Sequence, residues 1–262
     1  MALRQGNKNT LVKKWQQFLI LQGYLNDIAD GDFGPKTFKA TKDFQKFHKL
    51  GSDGIVGSLT FGKAYELGFN PEGEPPPNPV LKGDKGMMMW IKTNLGSIIK
   101  EAVKNSEYTE DWLAGICARE TGFLFMRYHN QGMSFDEISI RMKGDYGKRS
   151  GESQKQYHGY GYWQMDTGSY PGFINSGDWK DPLKTAKMAV KVLDEKRKYL
   201  KQKGWDERLS DEMFERAITA AFNCGQGNVN KALSNGSDVD RYTFSNDYSR
   251  EVFRYRNIYK NL

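Results

Sequence analysis

The chain has 262 residues, enough for one large domain or for a small and a medium one, each able to bury a core. With 38% hydrophobic and 27% charged residues and no low-complexity block, the composition excludes a disordered chain, and no run approaches the roughly 18 apolar residues of a membrane helix. Lys plus Arg exceed Asp plus Glu by 39 to 32, and the net charge of +7 fits nucleic acid, anionic lipid or acidic wall polymer alike.

The first 30 residues hold Lys8, Lys13, Lys14 and Trp15 but no continuous apolar core of a signal peptide, so synthesis without a leader is expected. Two helical patterns open the chain, "LVKKWQQFLILQGYL" and "TFKATKDFQKFHKLG". Each is tied to a turn in which Asp-Gly is followed by two residues, a second Gly, two more residues and Thr, at 30–37 and 53–60. Such a turn needs positive φ at glycine before a helix start. Five of the eight prolines then cluster at 71, 75, 76, 77 and 79, which excludes helix and marks a spacer over 70–85. The expected organisation is a domain at 1–69, that linker, and a second domain at 86–262.

The second unit reads as mainly helical. Apolar residues at helical spacing run through "MMMWIKTNLGSIIKEAV", "YTEDWLAGICARE", "DPLKTAKMAVKVLDEKRKYL", "SDEMFERAITAAFN" and "NDYSREVFRYRNIYKNL", with Thr109, Asp181, Ser210 and Asn246 as expected caps. Residues 127–161 are polar and glycine-bearing, a stretch whose length alone points to function. His129 and His158 flank it and are expected to be solvated. Cys117 and Cys224 fall in no CxxC or Cys/His cluster, so they are expected to be free thiols, with neither a disulfide framework nor structural zinc.

Chemistry enters at "CARETGF". A helix from about Thr109 puts Trp112, Ile116 and Glu120 at i, i+4 and i+8, so the carboxylate continues an apolar stripe, with Gly122 the expected stop. Burial, and a nearby negative helix end, would both raise its pKa and keep a proton for general acid catalysis. A surface glutamate snorkelling from the stripe would give the same pattern. In "HGYGYWQMDTGSY" two glycines interleave with aromatics ahead of Gln164 and Asp166, a backbone a flat ligand could approach; a loop tucked into the core is the alternative. "AAFNCGQGNV" reads as a helix ending at Asn223 and then a glycine turn. The stripe Tyr248, Val252, Tyr255 and Tyr259 reads as packing.

These residues carry two resemblances. Gln22-Gly23-Tyr24, Asp30-Gly31-Asp32-Phe33-Gly34 and Asp53-Gly54-Ile55-Val56-Gly57 resemble the signatures of the three-helix peptidoglycan-binding domain over residues 3–69. Arg-Glu-Thr, Gly-Tyr-Gly-Tyr-Trp-Gln-Met-Asp, Ala-Ala-Phe-Asn and the terminal helix, in that order over about 108–260, resemble goose-type lysozymes and soluble lytic transglycosylases. The resemblance implies a lysozyme-like α-helical domain with Glu120 as acid. It also implies glycan contacts from Gly159, Tyr160, Gly161, Tyr162 and Gln164, and from Phe222 and Asn223, where Phe replaces the usual Tyr. Asp166, which transglycosylases typically lack, tilts it toward hydrolysis, with Asp145 as a further carboxylate and Glu152 its competitor.

Together they imply a monomeric muramidase of phage endolysin type. It would act on bacterial peptidoglycan, from a host cytoplasm to the wall, without nucleic acid, membrane insertion, metal or organic cofactor. A lytic transglycosylase, a chitinase and a noncatalytic wall-binding or virion protein are the alternatives.

Overall fold

The computed structural model describes residues 2–25, 27–71 and 81–262, and the chain divides into two compact units between residues 80 and 81. Among the described residues there are twelve α-helices and one three-stranded sheet, so the fold is mainly helical. Most of the proline-rich stretch, 72–80, lies outside the described residues. Helix begins at Gly83, inside the stretch expected as spacer.

The first unit holds α1 (Thr10–Leu21), α2 (Pro35–Phe47) and α3 (Ser58–Glu66). Asn9 caps α1 by accepting the Val12 N–H, and Pro35 starts α2, where its missing N–H costs nothing. The helices close around Trp15, whose ring meets Phe18, Phe44, Phe61 and Phe69 and whose Nε1 donates to Thr41 at 3.0 Å.

The sequence repeat has a physical cause. Gln16 accepts the Gly31 N–H and donates to the Asp30 carboxylate, the Asp32 carbonyl and the Thr37 hydroxyl. Gln45 does the same with Gly54, Asp53, Ile55 and Thr60. One buried amide thus satisfies each loop, and Gly31 and Gly54 take the positive φ (82° and 75°) that turns their N–H inward. The second glycines, Gly34 and Gly57, are extended residues capping the next helix.

In the second unit α4 (Gly83–Val103), α8 (Pro182–Gln202) and α12 (Tyr248–Lys260) pack on a central α5 (Glu110–Asn130), whose first two turns are buried on every side. Between α5 and α8 the chain forms α6 (Phe135–Ser139), β1 (Lys143–Gly147), β2 (Gln156–Tyr160), β3 (Met165–Asp166) and α7 (Pro171–Asn175). The short α9 (Trp205–Arg208), then α10 (Asp211–Cys224) and α11 (Gln226–Ser234), complete the unit. The sheet is antiparallel in the order β1-β2-β3, with Gly144 opposite Gly159 and Gly159 opposite Asp166. It accounts for much of the stretch that helical periodicity leaves unassigned.

Asp181 and Ser210 cap their helices through side-chain oxygens, whereas Thr109 occupies its cap position without such a bond. Asn246 does not cap α12; Asp247 holds that position, and Asn246 is left-handed at φ 54°. Gly122 is not a stop. The helix runs on to Asn130, and the glycine is there because a Cβ would sit 1.9 Å from the Met87 sulfur of α4. Arg256 of α12 joins α5 to α10 through Asp111 (2.9 Å) and Glu215 (2.7 Å), a buried charge satisfied on two sides.

Candidate active site

Since α5 continues ten residues past Glu120, the negative helix end is too distant to act on it. Burial alone raises this carboxyl, and the outcome is about 7 after the Tyr248 hydroxyl and the Arg119 charge pull it partly back. The residue keeps some exposure, so the carboxyl is held inside but reachable. Tyr248, at the first position of α12, is buried, and its hydroxyl donates to Glu120 Oε1 across 128 positions of chain. The terminal stripe does pack, as its periodicity predicts, and its first member also touches the candidate acid. Arg119 pairs with Asp247 at 2.9 Å and lies over the rings of Phe244 and Tyr248.

The next residue, Thr121, ties this part of α5 to the turn after β2 by donating to the Tyr162 carbonyl at 2.7 Å. That turn, 161–164, reverses the chain with Gly161 at φ 77° and Gln164 at φ 50°. Gln164 lies flat across the sheet: a Cβ on Gly144 or Gly159 would come within 2.1 or 2.4 Å of its amide oxygen. The glycines therefore make room for a side chain of the protein itself. Tyr162 is corrected as a sugar contact, because its ring is in the core, 1% exposed, with its hydroxyl against Ser139. Trp163 is core as well and donates to the Leu113 carbonyl. Tyr160 is partly exposed and meets the edge of Trp179.

Asp166 and Asp145 come together on one guanidinium. Arg149 donates to Asp166 Oδ2 at 2.6 Å and to Asp145 Oδ2 at 2.8 Å. Asp166 Oδ1 accepts from the Ser169 N–H and hydroxyl. Burial would raise the Asp166 carboxyl, but these bonds and the Arg149 charge outweigh it and leave it below its ordinary value.

His158 is corrected from solvated to buried. Its Nδ1 lies 2.8 Å from the Asp145 carbonyl, which can only accept, and its Nε2 lies 2.8 Å from the Glu152 carboxylate. Both nitrogens therefore donate, the state of an imidazolium, and the Asp145 carbonyl and Glu152 raise its pKa. Glu152 also accepts the Arg149 N–H at 2.7 Å and is held down at about 2. Glu152 thus serves the loop that carries Arg149 and shares His158 with the Asp145 carbonyl. His129 is half-buried on α5, and Trp90 Nε1 donates to its Nδ1 at 3.1 Å.

On α10, Phe222 packs against the core while Asn223 is exposed, its Oδ1 accepting the Phe244 N–H at 3.0 Å. Helix α10 ends one residue later than Asn223, at Cys224. Both cysteines are free thiols, Cys117 buried. Among the described residues no group of three His, Cys, Asp or Glu has metal-holding geometry, and no helix is long and apolar enough to cross a membrane.

Residues 8–63 match the peptidoglycan binding domain family. The zinc D-Ala-D-Ala carboxypeptidase of Streptomyces albus G is 37% identical over 70 residues, a match spanning 25% of this chain and 27% of that protein. The crystal structure of the Burkholderia AP3 phage endolysin aligns over 100% of both chains with 14% identity and a TM-score of 0.28, too low to carry an argument. The first unit is thus a module of peptidoglycan-binding type, and the chain is modular, with a second unit beyond that match.

Proposed function

We propose that the chain is a peptidoglycan-cleaving muramidase of endolysin type, hydrolysing the β-1,4 bond between N-acetylmuramic acid and N-acetylglucosamine. The domain limits 1–69 and 86–262 belong to this reading, with the first unit holding the enzyme on the polymer and raising its local concentration. The observation that carries it is Glu120: a carboxyl raised to about 7 by burial, yet partly exposed and fixed by a tyrosine hydroxyl. Such a group is still roughly half protonated at neutral pH and can deliver that proton to a glycosidic oxygen. Asp166, held ionised, suits the second role, stabilising positive charge on the sugar or orienting water, with Asp145 sharing its arginine. Release of new reducing ends from purified walls by the wild type and not by Glu120→Gln tests the assignment.

One observation favours a second reading. Both Asp166 oxygens already accept hydrogen bonds from Arg149 or Ser169, which leaves less capacity to deprotonate water. In a lytic transglycosylase Glu120 would act alone, as acid and then base, and the muramic acid's own 6-hydroxyl would close a 1,6-anhydro ring.

A further inference from the structure

The corner leading into α12 is built against local preference. Ser245 and Asn246 are consecutive non-glycine residues at φ 60° and 54°, where Cβ crowds the backbone carbonyl. Several anchors hold it. The Phe244 N–H donates to Asn223, and the Thr243 hydroxyl donates to the Asp240 carbonyl at 3.0 Å. The Asp240 carboxylate is fully buried and accepts the N–H and hydroxyl of Ser249 in α12 at 2.8 and 2.7 Å.

What this corner presents is Phe244, 74% exposed. Its ring lies 6.0 Å from the guanidinium of Arg119, the residue before Glu120, and four positions on, Tyr248 reaches Glu120 itself. A lone exposed apolar side chain needs no explanation on an ordinary surface. A phenyl ring held in water by a strained and multiply anchored corner, against the arginine that precedes the candidate acid, calls for one.

We propose that Phe244 is a sugar-stacking residue, receiving a C–H face of an N-acetylhexosamine ring next to the bond that Glu120 protonates. The inference rests on the glycosidase reading of Glu120. Gluco-configured hexosamine rings carry axial C–H groups on both faces and their hydroxyls at the edge, so an aromatic plane takes a face. Asn223, exposed at the same corner, offers an amide to the edge.

The test is turnover of soluble, peptide-free wall glycan fragments by the full chain. Phe244→Ala raises KM about tenfold while kcat falls less than about threefold, as expected when contact with ground and transition states is lost together. Phe244→Trp restores KM, and neither variant lowers Tm, since the side chain packs little in the free protein. A KM within about twofold of wild type in Phe244→Ala, or equal losses in kcat with a lowered Tm, overturns the stacking role and leaves the Glu120 reading standing. A wild type that cleaves no glycan overturns both.

Discussion

Glu120→Gln should make the protein more stable as well as inactive, and the gain should depend on pH in a fixed direction. In the folded chain this carboxyl protonates near 7 instead of 4.5, because burial disfavours its charge. The stability it contributes is fully present below about 4.5 and is lost as pH rises through 7, since the unfolded chain releases the proton first. Each pH unit of displacement corresponds to about 1.4 kcal/mol, so the loss by pH 8 is about 3.4 kcal/mol, and nearer 2–3 once residual solvent access is allowed for. Glutamine stays neutral, keeps the shape and still accepts from Tyr248. The variant should therefore match wild type near pH 4 and exceed it by about 2–3 kcal/mol at pH 8, or several degrees in Tm. Urea melts from pH 4.5 to 8, followed by tryptophan fluorescence, measure this, because five of the six tryptophans lie beyond residue 80. Other titrating groups cancel in the difference. A gap that does not change with pH, or a variant less stable at pH 8, would refute the claim that burial sets the state of Glu120.

Tyr248→Phe removes the hydroxyl that favours ionised Glu120, so the descending limb of the rate–pH profile should move up by roughly one pH unit or more, read as kcat against pH. Arg149→Ala releases Asp166 toward its ordinary carboxyl range, and the ascending acid limb should shift to higher pH; an exposed pair costs under about 1 kcal/mol in stability, so Tm should hold. Gln45→Ala leaves the Gly54 N–H and its neighbours unsatisfied in a buried loop, and should destabilise the first unit by about 2–4 kcal/mol. Binding to insoluble walls in a pull-down should weaken, while cleavage of soluble glycan persists.

The parts of this molecule legible in its sequence are those whose partners are close along the chain. The two Asp-Gly turns are readable because glycine, aspartate and threonine sit within eight residues, although the glutamines that fasten them lie 15 and 9 positions away and carry no local signal. Helix periodicity located the main helices of the second unit and aligned Glu120 with a buried stripe. It misjudged Gly122, whose constraint comes from Met87 on another helix. Tyr248 was visible only as packing, because a partner 128 positions away leaves no periodic trace. The strands around residues 143–166 leave no alternating pattern because their glycines break it, which also hides the buried state of His158 and the shared arginine of Asp145 and Asp166. A histidine in "QYHGY" six residues after a glutamate was the available signal.

Mass spectrometry of the soluble fragments from purified peptidoglycan, digested by wild type and by Glu120→Gln in parallel, tests the central claim most directly. The account predicts reducing N-acetylmuramic acid ends from the wild type and none from the variant. Anhydro ends would transfer the protein to the transglycosylase reading, and identical fragments from both proteins would contradict the role of Glu120 outright.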